Sequence, residues 1–308
     1  MAAIPVSASF AGQRSSSSTI SFFFTKLRLF KIWFCTFNFF KKQNMRNLLF
    51  SFAFLFSFCL NAQQQLVFTT SLLPVNDTVH VFTPKDYGQG EKYYPVVFLL
   101  HGYSGDYSSW NKVTDVQALA DEFEMIVVCP DGLFSCWYVN SPVIKELKFK
   151  TFFFSILIKA INEQYRMDRS NIFITGLSMG GHGALYFFSE RPGLFRAAGS
   201  TSGMVDLTEK PDEFDLDKIF GRGATGLENL SKYSAITNID KLAGSKKPLF
   251  VDCGSSDMFY LQTLRFYAEC KKKKAKINLK IMAGGHSRDY WKKSIPLHFG
   301  FFREKLNN

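Results

Sequence analysis

The chain has 308 residues, 46% of them apolar, and a formal net charge of +11. Such a charge would point to nucleic acid or an anionic membrane, but its distribution excludes that reading. Residues 1–62 hold seven Lys or Arg and no Asp or Glu, which leaves 30 basic against 26 acidic residues in the remainder. Fourteen of the 35 phenylalanines fall in the same first fifth, so the start of the chain differs in kind from the rest.

Residues 45–62 read as a secretory signal peptide. Arg46 supplies the basic start, Leu48 to Leu60 the apolar core, and Ala62 the small residue before Gln63-Gln64-Gln65. The apolar core is too short for a bilayer-spanning helix, which needs about 20 residues. Phe58 stands before Cys59, where a lipoprotein anchor wants a small residue. Residues 1–44 precede a signal that begins with its own methionine, Met45, so they are expected to be a spurious or disordered extension. The mature chain, 63–308, is then exported, periplasmic or secreted, with no stable membrane span. Its cysteines, Cys129, Cys136, Cys253 and Cys270, fit no metal spacing. They are expected to be buried thiols, with a disulfide the alternative in an oxidising compartment.

Two short extended runs, Leu66 to Leu73 and Val79 to Thr83, suggest an opening antiparallel pair, with His80 on an edge strand. Pro95 to Leu100 is a continuous apolar run of the kind found in strands buried on both faces. It ends in His101-Gly102-Tyr103-Ser104-Gly105. A helix is predicted over 113–123, a strand over 125–129, a loop over 135–142 and a helix over 149–165. Strands follow at 171–176, 195–200, 249–254 and 277–282. The polar stretch 204–247 reads as an insertion over the sheet. A helix over 258–274 ends in Lys271–Lys274, a solvated end where cations oppose the helix dipole. A closing helix is expected around 295–305. This alternation predicts one α/β domain with a mostly parallel sheet and helices on both faces.

The segment with most chemical content is Ile172-Phe173-Ile174-Thr175-Gly176-Leu177-Ser178-Met179-Gly180-Gly181. A buried strand, a Gly-x-Ser-x-Gly turn and a helix in that order form the context of a nucleophile elbow. A serine hydroxyl is a weak nucleophile near neutral pH and needs a base within reach. Of the five histidines, His101 is expected to brace its loop, His182 rides on the elbow helix, and His298 falls in the last helix. His286 alone sits in a loop after the last strand, at the carboxyl end of the sheet where functional loops gather. The acid that orients it is expected to be Asp257, in the loop after the penultimate strand, with Asp252 inside that strand as the alternative. The backbone N–H groups of Met179 and Tyr103 are placed to serve an oxyanion.

With these residues assembled, the chain resembles the esterase D family of α/β-hydrolases, which includes tributyrin-type esterases, feruloyl and acetyl xylan esterase domains, and S-formylglutathione hydrolases. The resemblance rests on the stretches 100–105, 135–142, 176–185, 195–203, Lys232-Tyr233-Ser234, 252–257 and 284–291. It implies the α/β-hydrolase fold and hydrolysis of short-chain acetyl or feruloyl-type esters, free or on polysaccharide, by Ser178, Asp257 and His286 without metal or organic cofactor. Asn140 and Arg288-Asp289 depart from the family pattern, which carries an acid and Trp-Glu at those places. Trp137, Tyr138 and Asn140 are expected at the substrate pocket, with packing under the loop the alternative for the two rings. Rival readings are acyl transfer to a sugar alcohol, S-formylglutathione hydrolysis and a non-catalytic binding domain.

Overall fold

The computed structural model describes residues 63–306. The expected leader at 45–62, the extension at 1–44 and Cys59 lie outside the described residues. Eight strands form one sheet in the order β1-β2-β4-β3-β5-β6-β7-β8. They are β1 (Gln63–Phe68), β2 (Asp77–Phe82), β3 (Tyr94–Leu100), β4 (Ile126–Pro130), β5 (Met167–Gly176), β6 (Ala197–Thr201), β7 (Leu249–Gly254) and β8 (Ile277–Met282). The pairs from β4 through β8 are all parallel, while β1–β2 and β2–β4 are antiparallel. The opening pair is therefore as expected. His80 is not on the edge, however, because β1 covers β2 with Gln65 opposite His80.

Side chains alternate across a strand, and β3 shows what that does here. Val96, Phe98 and Leu100 enter one hydrophobic core, and Val97 and Leu99 the other. The second core is closed by α1 (Val116–Phe123) and by the last helix, through Leu119, Ile295, Phe299 and Phe302. Asp115 caps α1 by accepting from the Ala118 N–H at 2.9 Å. The first core lies under α2 (Phe149–Phe152), a π-helical turn (Phe153–Leu157), α3 (Ile158–Gln164) and α4 (Met179–Glu190). The expected insertion folds into α5 (Leu216–Phe220), α6 (Gly223–Tyr233) and α7 (Ile239–Gly244). Its Leu216, Phe220, Leu230 and Leu242 join that same core, so it adds a cover to the sheet and builds no second domain.

Helix α8 (Tyr260–Lys272) ends in the lysine run, where Lys273 pairs with Asp240 at 2.9 Å. Helix α9 (Arg288–Glu304) begins about two turns earlier than expected. Ser287 is its cap, accepting from the Tyr290 N–H. Cys129, Cys136, Cys253 and Cys270 are all free and buried, and burial pushes the Cys253 and Cys270 thiols up to about 12. Among the described residues no helix is long and apolar enough to cross a membrane.

The order β4-β3-β5 fixes where a site can form. The chain leaves β3 to one side and returns to its other side, so the carboxyl ends of β3 and β5 flank a crevice at the reversal. The loop His101–Gly105 and the turn at Ser178 follow those two ends.

Candidate active site

Strand β5 stops at Gly176 and α4 starts at Met179, leaving two residues to reverse the chain. Ser178 takes φ 54° and ψ −117°, a conformation L-residues rarely adopt, which stores about 1–3 kcal/mol. The surroundings enforce it. The Ser178 N–H donates to the Thr201 carbonyl at 3.0 Å, and the Gly180 N–H donates to the Leu177 carbonyl at 2.7 Å. A Cβ on Gly176 would lie 2.6 Å from both the Gly180 and Leu100 carbonyl oxygens, and one on Gly180 would strike the Leu100 and His101 carbonyls. Only glycine fits at either place.

His286 follows β8, and its Nε2 lies 3.0 Å from Ser178 Oγ. Its Nδ1 lies 3.1 and 3.0 Å from the two carboxylate oxygens of Asp257. Asp257 sits just past the end of β7. The two loops are tied by backbone bonds, Ser255 N–H to the Met282 carbonyl and Ser256 N–H to the Gly284 carbonyl, both 2.9 Å. The rings of Phe259 and Trp291 stand nearly perpendicular to the imidazole, with centroids 5.1 and 4.9 Å away. Burial works against a charged Asp257, yet the bonds from His286 and the Phe259 N–H outweigh it and hold the carboxyl below its ordinary value. An ionised Asp257 accepts a proton on Nδ1, which leaves Nε2 with its lone pair toward the serine.

The alternative acid, Asp252, faces elsewhere. Its oxygens take His298 Nε2 at 2.5 Å and the hydroxyls of Tyr290, Ser294 and Thr201, each at 2.8 Å. His101 braces its loop through the Gly102 carbonyl at 2.7 Å, and His182 meets the Tyr233 carbonyl at 2.9 Å. Burial pushes both imidazoles down to about 4.

A cavity of about 300 Å³ opens beside Ser178 and His286, and Tyr103 lines it. Gly102 lies so close that a Cβ there would sit 3.3 Å from Ser178 Cβ, which brings the Tyr103 peptide beside the serine. Met179 is the first residue of α4, where an N–H has no partner within the helix.

Trp137, Tyr138 and Asn140 do not line this cavity, which corrects the expectation for them. Trp137 and Tyr138 both have left-handed φ values, 51° and 61°, and both rings are buried beneath the loop. Trp137 Nε1 donates to the Phe214 carbonyl at 3.0 Å, and the Tyr138 hydroxyl to the His101 carbonyl at 2.9 Å. Asn140 exchanges hydrogen bonds with Thr151, at 2.8 and 3.0 Å. The walls come instead from Tyr103, Lys112, Val113, Phe214, Arg288 and Trp291. Trp291 had a signal in the sequence, since Ser287 as a cap puts it in the first turn after the histidine loop. Phe214 had none.

A family model described as "Putative esterase" matches residues 71–302. The chain belongs to that family. An esterase of Mycobacterium tuberculosis (strain ATCC 25618 / H37Rv) is 32% identical over 146 residues, 46% of this chain but only 32% of that relative. The chain therefore matches about a third of the length of that relative. An acetyl esterase of Caldicellulosiruptor saccharolyticus is 24% identical over 265 residues, covering 77% of this chain and 97% of that one. Among solved structures, a ferulic acid esterase superposes with a TM-score of 0.69 at 25% identity, covering 79% of this chain and 97% of that one. All eight strands and the nucleophile turn fall within the family match except β1, which precedes it.

Proposed function

We propose that the protein is a serine carboxylesterase that cleaves short-chain acyl esters, acetyl or feruloyl in type, through an acyl-enzyme on Ser178. The observation that carries this reading is the Ser178 Oγ to His286 Nε2 contact of 3.0 Å at a cavity open to a ligand. His286 accepts the Ser178 proton as Oγ attacks the ester carbonyl, and Asp257 stabilises the imidazolium. The N–H groups of Met179 and Tyr103 receive the developing oxyanion. His286 then gives its proton to the departing alkoxide. Water attacks the acyl-enzyme with His286 again as base, releasing the acid and restoring Ser178. The acyl preference draws on the acetyl esterase and ferulic acid esterase among the similar proteins.

Full-length protein and Ser178→Ala are to be compared on p-nitrophenyl acetate and butyrate and on methyl ferulate. Loss of the nucleophile is expected to lower kcat by about 10⁶, as in other serine triads. Equal rates for the two proteins would end the proposal. Export belongs to the same proposal, on the strength of the leader at 45–62. N-terminal sequencing of the exported protein is expected to begin near Gln63, and retention inside the cell with an intact leader would count against it.

A further inference from the structure

The cavity beside Ser178 has one-sided chemistry. Its aromatic and aliphatic walls, Tyr103, Val113, Phe214 and Trp291, would accept an apolar ester, but its charged groups are Lys112 and Arg288. Among the described residues no carboxylate lines it. Lys112 shares its charge with Asp106 at 3.5 Å, across two half-exposed side chains. Arg288 is exposed and makes no ion pair among the described residues. The Trp291 indole N–H, buried in the cavity wall, has no acceptor there either. Two cationic side chains therefore border one cavity, and one of them, Arg288, has no carboxylate partner among the described residues. An unpaired guanidinium offers a planar fork that suits a carboxylate.

The direction of the chemistry says which part of a substrate meets Arg288. His286 must protonate the leaving oxygen, so the alcohol departs on the His286 side. Arg288 and Trp291 follow His286 by two and five residues in the first turn of α9, and both line the cavity with it. We infer that the substrates of this esterase are acyl esters of alcohols that carry a carboxylate, such as hydroxy acids or acidic sugars, with Arg288 as the main specificity-determining residue and Lys112 as its support. This rests on the esterase reading above and narrows it. A neutral alcohol would leave the exposed guanidinium to water alone.

The test uses full-length protein and two acetyl esters of the same shape, 4-acetoxybenzoate and 4-acetoxybenzamide, together with their 3-substituted isomers. The readout is the ratio of kcat/KM for acid over amide, so intrinsic differences in ester reactivity cancel between enzyme variants. The wild-type ratio in low salt is expected to exceed that of Arg288→Gln by about tenfold, the scale of a charge-assisted hydrogen bond weakened by solvent. Lys112→Gln is expected to lower the ratio by about twofold to threefold, because Asp106 already shares that charge. Added NaCl at 0.5 M should pull the wild-type ratio toward the Arg288→Gln value, since exposed charges are screened. Ratios that agree within twofold between wild type and Arg288→Gln for both isomers would overturn the inference, and so would an absence of turnover on both acids. The esterase reading stands in either case if the amides are cleaved by wild type and not by Ser178→Ala. Failure of that last comparison would remove the esterase reading itself.

Discussion

A hydroxyl, an imidazole and a carboxylate line up twice among the described residues. At the carboxyl end of the sheet, Ser178 Oγ lies 3.0 Å from His286, which meets Asp257 at 3.0 Å. Three residues earlier, within β5, Thr175 Oγ1 lies 2.8 Å from His298 Nδ1, and His298 Nε2 lies 2.5 Å from Asp252. By hydrogen bonds alone the second set is the tighter. It differs in everything else that chemistry requires. Thr175, His298 and Asp252 are all fully buried, whereas His286 keeps 22% of its side chain exposed at a cavity. Asp252 also accepts from Tyr290, Ser294 and Thr201, so it ties β6 and β7 to α9. Thr175 sits in regular strand, while Ser178 is held at φ 54° on a turn. The comparison teaches that access and backbone strain, added to the hydrogen-bonded trio, separate the candidate site from a buried structural clamp.

The sharpest way to break this distinction is to remove each aspartate. Asp257→Asn is expected to lower kcat by about 10⁴ with the fold intact, because a neutral amide no longer holds the imidazole in its working tautomer. Asp252→Ala is expected to do the reverse. It leaves the buried His298 without its carboxylate and the Tyr290 and Thr201 hydroxyls without their acceptor, at a cost of about 3–5 kcal/mol. For a chain of this size that is a fall in Tm of roughly 10 °C, with kcat per folded molecule changed by less than about tenfold. Thermal unfolding and active-site titration on both variants check the pair. A loss of kcat for Asp252→Ala that equals the loss for Asp257→Asn, at unchanged Tm, would erase the distinction.

The two variants also differ in acid. Asp257 is held below its ordinary value of 3.8 in the folded protein, so its charge stabilises the fold above that pH. This contribution is lost as pH falls through the lower folded value. The stability gap between wild type and Asp257→Asn should accordingly shrink in Tm scans taken below about pH 3.8. A gap that widens there would contradict the ionised Asp257 on which the proposed mechanism depends.

The trio at Ser178 was legible in the sequence because each member carries a local signal. The strand-turn-helix around Ser178 has its two obligatory glycines, and Asp257 and His286 each follow an apolar run that ends at the same edge of the sheet. The clamp was only half legible. Asp252 was visible as a residue inside the strand, but nothing local ties it to His298, 46 positions away. The cavity walls were least legible. Trp137 and Tyr138 have the composition of a ligand platform, and only their consecutive left-handed φ values turn the rings under the loop. Phe214 reaches the cavity from the insertion, whose path over the sheet has no periodic pattern to read. Asp77, the first residue of β2, carries no local signal of its burial.

Asp77 gives the smallest effect and the finest test of the comparison. It is fully buried, as Asp252 is, but its oxygens make no well-formed hydrogen bond among the described residues and are approached only by the backbone amides of Asp131 and Gly132. Burial first, and then the nearby Asp131 carboxylate, push its carboxyl up to about 8, opposed only in part by the amides of Asp131 and Gly132. The sign follows from linkage. Between the ordinary value of 3.8 and about 8 the folded chain holds a proton that the unfolded chain has lost, so stability falls as pH rises through that window. Asp77→Asn keeps the shape and removes the ionisation. At pH 7.5 it is expected to stabilise the protein by about 1–3 kcal/mol, after allowing for the burial of the new amide. The gain should vanish near pH 4, where the folded wild type is already neutral at this position. Urea melts at the two pH values measure it. A gain of the same size at both would mean that Asp77 is not a buried carboxyl without a well-formed hydrogen bond, and that a donor of the kind surrounding Asp252 reaches it as well.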